Sequence, residues 1–231
     1  DLVQPGAEAG IADPGTPGFS DWWQQRIDAL FADVPLLAGF LVQSPTERDD
    51  WSVTEATAAN GLARQLAAKS AQLIWCSSNG ISPDWRAVPD PAETGFDSQS
   101  SLDGQFERNV LMQVSPGPTG NQVSEPPNPL IAALPATRVA LTVQVTQQFT
   151  GQQTDLCYLA PAWQRLLRFA FDDAGERTIA GRLSGSWHRQ SQPSCLAGLA
   201  NTGRSANWCG HDLATANWFA FGRLAWDPEA E

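Results

Sequence analysis

Lysine is almost missing: Lys69 is the one lysine among fourteen basic residues in a chain of 231. Twenty-five acidic residues bring the net charge to −11. The arginines are scattered singly, with no basic cluster and no ladder of alternating aromatic and basic residues. A nucleic-acid interface must neutralise phosphates, so the composition argues against DNA or RNA contact. Anionic membrane surfaces are disfavoured for the same reason. No apolar run approaches the ~20 residues of a membrane span. The longest, Val34 to Val42, is broken by Pro35 and Gly39. A P-loop, a G-x-G-x-x-G after a strand and a G-x-S-x-G are all missing, which removes the usual markers of nucleotide and acyl chemistry. There is no internal repeat and no low-complexity tract. The chain begins at Asp1 rather than Met, from which something upstream is expected to have been removed: a signal peptide, an anchor helix, or only a cut made in choosing the sequence.

Cysteine is scarce but even in number: Cys76, Cys157, Cys195 and Cys209. In an oxidising compartment they allow two disulfides in three pairings. Cys195 with Cys209 is the shortest closure and leaves Cys76 with Cys157. Closing such a short loop stabilises a fold by ~3 kcal/mol in the chain-entropy model. The resulting expectation is a secreted, periplasmic or cell-surface protein with a stapled C-terminal loop.

A hydrophobic share of 42% is enough for a core at this length. Residues 1–18, rich in Gly, Pro and Ala, read as an extended arm, and 19–231 as a single domain with a helical part (19–76) and a β-rich part (106–227). Trp23, Ile27, Leu30, Phe31 and Val34 form a helical apolar stripe that Pro35 ends. Leu36 to Gln43 reads as a short buried strand. "SVTE" offers Ser52 and Glu55 as a capping box, and the periodicity behind it predicts the longest helix of the chain, from Ser52 to Trp75. Residues 77–105 read as a loop. Asn109 to Val114 alternates, with Val110, Met112 and Val114 on one face. Six prolines make 115–136 an irregular strap. "TRVALTVQVTQQF" places Val139, Leu141, Val143 and Val145 on a core face, with Arg138, Thr142 and Gln144 facing away. Asp155 to Ala160, Trp163 to Phe171, Arg177 to Trp187 and "NWFAFGRLAW" are read as further strands, with a hairpin turn at "DDAGE". The expected fold is therefore α+β: N-terminal helices packed on a mostly antiparallel sheet with long irregular loops.

"GSWHRQSQPSCLAGLANTGRSANWCGHD", residues 185–212, holds both histidines and two cysteines. Cys209, His211 and Asp212 could be read as a nucleophile with its base. Adjacent groups on one strand rarely meet at hydrogen-bond distance, so a disulfide half and a surface histidine are the better reading. Cys195, Cys209, His188 and His211 match no zinc spacing. Asp49–Asp50 and Asp172–Asp173 sit where local backbone chemistry favours Asp, before a helix cap and in a turn. No metal, cofactor or catalytic residue is assigned.

Ten tryptophans against one tyrosine are unusual, and Trp187, Trp208, Trp218 and Trp226 lie near the C-terminus. Those flanking the loop are wedges beneath it or platforms for a sugar ring or partner chain. Trp187, His188, Arg204, Trp208 and His211 are the candidate binding residues. "GSW" at 185–187, "RSANW" at 204–208 and "FGRLAW" at 221–226 resemble the closing signature of formylglycine-generating-enzyme and C-type-lectin-like domains. "FGR" inverts the usual order there, and the first 180 residues show none of the entry motifs. The functional expectation is a non-catalytic, exported structural or recognition subunit that meets another protein subunit or a glycan. The alternative is a hydrolase acting on glycan or peptide through a site in 185–212, which a cleft with a strongly perturbed carboxylate or thiol would favour.

Overall fold

The computed structural model describes residues 14–44, 54–77, 91–118, 125–145, 158–171, 194–199, 215–227 and 230. In chain order the elements are α1 (Phe19–Asp33), β1 (Gly39–Gln43), α2 (Glu55–Ala67), β2 (Gln72–Cys76), α3 (Pro91–Ser100) and β3 (Val110–Val114). A 3-10 turn follows (Pro129–Ala132), then β4 (Arg138–Gln144), α4 (Ala160–Phe171), β5 (Cys195–Leu199) and α5 (Thr215–Trp226). The strands form one sheet in the order β1-β2-β3-β4-β5. β1 pairs in parallel with β2, β2 with β3, and β4 with β5. The expected antiparallel sheet is thus wrong: helices and strands alternate along the chain, and a parallel pair needs a long crossover, which α2, α3 and α4 occupy.

The chain divides into two compact units, Asp1–Met112 and Gln113–Glu231. In the first, Ile27 and Phe31 of α1 pack with Ala58, Ala59, Leu62, Ala63 and Leu66 of α2, with Leu73 and Trp75 of β2, and with Val110 of β3. The α1 stripe is narrower than its sequence suggests, because Leu30 and Val34 are exposed. α1, with 15 residues, exceeds the 13 of α2. The helix predicted from Ser52 to Trp75 breaks after Ala67, where Ser70 takes a left-handed φ of 58°, and Gln72–Cys76 continues as a strand. The cap is Thr54, whose Oγ1 accepts the Thr57 N–H at 3.3 Å. Ser52 lies outside the described residues. Within the expected loop at 77–105, α3 is a helix.

In the second unit Val139, Leu141, Val143 and Val145 are buried, as the period of two requires. Thr142 does not face away: it is fully buried at 0% exposure, and Ala140 is buried beside it. A parallel strand is covered on both faces, so the polar face inferred from alternation is not solvent. Trp163–Phe171 is helical rather than extended. Its buried residues Trp163, Leu166, Leu167 and Ala170 fall at i, i+3, i+4 and i+7. "NWFAFGRLAW" is likewise in a helix, with Asn217, Ala220 and Leu224 inward. Phe221 lies over Gly198 of β5, where a β-carbon would sit 2.8 Å from its Cζ. Asn217 Oδ1 accepts the Leu159 N–H at 2.9 Å, tying α5 to the entry of α4. The expected strand Arg177–Trp187 lies outside the described residues.

The stapled-loop expectation also fails. Cys195 opens β5 in the middle of the supposed loop, and Cys76 and Cys195 are free thiols. Neither the Cys195–Cys209 nor the Cys76–Cys157 pairing is made, since one cysteine of each supposed pair is a free thiol. Cys157 and Cys209 lie outside the described residues. No helix among the described residues is long and apolar enough to cross a membrane.

Replacing Thr54 by Ala is expected to destabilise the protein by about 1 kcal/mol through loss of the α2 cap. Ser52→Ala is expected to have a smaller effect. Urea midpoints of the two variants decide between the caps.

Candidate functional site

In a parallel sheet the helix N-termini and the strand C-termini share one end, and ligands bind in the crevice outside that end. The residues there are therefore the candidates, taken unit by unit.

In the first unit Gln43 ends β1 and is followed by Ser44, buried, whose N–H donates to the Cys76 carbonyl at 2.9 Å. Glu55 opens α2, and its side chain is buried, with 6% exposure. Its Oε1 accepts the Trp75 indole N–H at 2.7 Å. A carboxylate at a helix N-terminus also meets the positive end of the helix dipole. Trp75 is packed in the core, so this hydrogen bond ties the first turn of α2 to the last residues of β2. Ser77 follows β2, and its Oγ is buried without a hydrogen-bond partner among the described residues. Between them Cys76 is half-buried. Desolvation first, and the nearby negative Glu55 second, push its thiol from 9.0 up to about 11. The thiol is neutral at physiological pH and is no nucleophile. Burial also raises the Cys195 thiol, against a smaller opposing effect of Arg138.

In the second unit Gln113 donates through Nε2 to Thr142 Oγ1 at 2.9 Å, and Thr142 in turn donates to the Val114 carbonyl at 3.4 Å. Beyond β3 the turn at Ser115–Gly117 is fastened to Asn128. The Asn128 N–H donates to the Pro116 carbonyl at 2.7 Å, and its Nδ2 to the Gly117 carbonyl at 3.2 Å. Ser115 Oγ donates to the same carbonyl at 3.3 Å. Half-buried Glu125 lies across Gly117.

The opposite end of the first unit holds an open depression lined by Asp28, Phe31, Ala32, Pro35 and Lys69. It lies at the helix C-termini, and Lys69 is paired there with Asp28 at 2.8 Å. The lysine and Gln24 hold the Asp28 carboxyl below its ordinary value. This ion pair is exposed and contributes little.

Of the residues proposed from sequence, Trp187, His188, Arg204, Trp208 and His211 lie outside the described residues, as do Asp49–Asp50 and Asp172–Asp173. Trp218 and Trp226 are exposed on α5. No cluster able to hold a metal occurs among the described residues. Sequence reasoning gave Glu55 only a capping role and passed over Glu125 within the strap. The available signal was position: both follow the exit of a strand, which matters only once the sheet is read as parallel.

Trp75→Phe is expected to cost about 1–3 kcal/mol, because the buried Glu55 carboxylate loses a donor. The thermal midpoint measures it. Cys76 is expected to alkylate about a hundredfold more slowly at pH 8 than an unperturbed thiol. The thiolate is the disfavoured form in the fold, so the rate should climb as pH approaches 11, as iodoacetamide labelling with mass readout at several pH values will show.

Residues 5–208 match the glycosyl hydrolase family 67 middle domain. The chain is 37% identical over 235 residues to an alpha-glucuronidase of Hypocrea jecorina, an alignment covering 95% of this chain and 26% of that protein. It is 36% identical to a probable alpha-glucuronidase A of Aspergillus niger, covering 95% and 27%. It is 34% identical to alpha-glucuronidase A of Emericella nidulans, again covering 95% and 27%. The chain thus spans about a quarter of the length of these relatives. The match replaces the likeness to formylglycine-generating-enzyme and lectin-like domains, whose "FGRLAW" lies on helix α5. It also overturns the expectation of a non-catalytic structural or recognition subunit. By a family match over most of its length, the chain belongs to glycosyl hydrolase family 67, as a middle-domain sequence.

Proposed function

We propose that this chain is the central part of a glycan hydrolase of the alpha-glucuronidase type, taking a glycan that bears α-linked glucuronic acid. The observation that carries the reading is the match along 95% of the chain to proteins with that name. The fold supports it, since a parallel sheet gathers its strand ends and helix N-termini on one side, where a sugar can be met by side chains from several elements. Within each unit taken by itself a carboxylate follows a strand exit, Glu55 after β1 and Glu125 after β3. Glycoside hydrolysis runs on carboxylates that protonate the leaving oxygen and activate water or attack carbon. Cys76 is unsuited to covalent catalysis, which weighs against a thiol mechanism. A polymeric glycan substrate would place the protein outside the cytoplasm, in keeping with the secreted, periplasmic or cell-surface location expected from the sequence.

The test incubates the full-length protein with an α-glucuronosyl oligosaccharide and follows free glucuronate by chromatography. Release at a rate saturating with substrate is the expected outcome. Saturable binding without release would keep glycan recognition and remove hydrolysis. The absence of both binding and release would contradict the proposal.

A further inference from the structure

We infer that the outer face of α5 is a two-fold contact between two copies of this chain, with Gly222 at the crossing point. The inference is independent of the glycan-hydrolase reading. α5 carries two seams of the same spacing on opposite sides. Asn217, Ala220 and Leu224 stand at i, i+3 and i+7 and are buried. Phe219, Gly222 and Trp226 repeat that spacing half a turn away and are exposed, Phe219 at 69% and Trp226 at 92%. Trp218, at 45% exposure, borders the second seam, and the exposed Ala216 and Ala225 lie beside it. Arg223 is the one charged residue in the helix. The first seam is enough to hold α5 on its own unit, and a helix that is apolar all round is one that is covered all round.

Gly222 points to a second copy as the cover. Glycine is a poor helix former, and nothing in the described chain uses its lack of a side chain. Beyond its own helix backbone, no described atom lies within 4 Å of the place its β-carbon would take. Trp218, Gly222 and Trp226 form one i±4 row, and the interlocking of two such rows is the commonest way helices pack. When two copies of α5 cross antiparallel at Gly222, residues equally far before and after it meet. Trp218 of one copy then lies against Trp226 of the other, twice over, in a self-complementary contact. The bare backbone at the axis lets the two helices approach closely. The three exposed rings supply roughly 400 Å² per copy. With Ala216, Arg223 and Ala225 added, the contact reaches the ~1,200 Å² at which specific interfaces begin. A membrane is the poorer occupant, because the chain carries a net charge of −11 and α5 offers a single basic residue.

Sedimentation velocity over a concentration series reads the dimer directly, in full-length protein without substitution and carrying Trp226→Glu, Phe219→Glu or Gly222→Cys. All three positions are exposed, so far-UV circular dichroism should be unchanged in each variant. Each glutamate should weaken dimerisation about a hundredfold or more. Added salt should tighten the unmodified dimer, by screening the repulsion between two chains at −11. The two copies of residue 222 meet on the axis, so Gly222→Cys should give a disulfide-linked dimer on mild oxidation, beyond any formed by the unmodified protein. A monomer at every concentration would overturn the inference and leave the face covered within a single polypeptide. A dimer that both glutamates leave intact, or one that Gly222→Cys fails to cross-link, would put the contact on another surface and overturn the inference as well.

Discussion

A buried carboxylate is tolerated only when it is hydrogen-bonded, and in the first unit that condition is met by the Trp75 indole at 2.7 Å from Glu55. Much of the local architecture follows from it. The first turn of α2 cannot slide along β2 without stranding a charge, so the register between helix and strand is fixed at the end where the strand exits. The remaining length of α2 is held by Leu62, Ala63 and Leu66 against Leu73 and Trp75, contacts that are strong but non-directional. Alanines at 56, 58, 59 and 63 let the helix approach closely, and the Glu55–Trp75 bond selects one position among the many that apolar packing would accept.

The second unit meets the same need without a buried charge among its described residues. Asn217 anchors α5 to the start of α4, Gly198 admits Phe221, and the ring of Trp163 meets Phe221 edge-on at 6.1 Å. Thr142, within β4, accepts from Gln113 and donates to Val114, so its hydroxyl is satisfied where no water reaches it.

How much of this was legible depends on which period dominates a segment. α1 and the core face of β4 could be read because Ile27 and Phe31, and Val139 to Val145, repeat cleanly. Trp163–Phe171 satisfies both periods at once: alternate residues are apolar, but so are those three and four apart. Only the latter face is buried. The α5 segment has the same ambiguity, with apolar residues nearly all round. The direction of the sheet was not written locally at all. It follows from crossover helices, and once α3 was missed and α4 taken as strand, an antiparallel meander was the consistent conclusion. Even cysteine count misled, because Cys76 and Cys195 pack as small half-buried strand residues. Glu55 and Glu125 carry no motif. Their significance lies in the strand exits they follow, so they became candidates only through the fold.

The central claim is that a glycan is met at the C-terminal ends of the parallel strands. The most direct measurement is a backbone NMR titration with an α-glucuronosyl oligosaccharide. Within each unit taken by itself, the amides to follow are those beyond the strand ends, Ser44 and Ser77 in the first and Ser115 and Gly117 in the second. Those of at least one unit should shift in a saturable manner, while Gly39, Gln72, Val110 and Arg138, at the strand starts, stay in place. Shifts confined to the strand starts, or none at saturating ligand, would contradict the account.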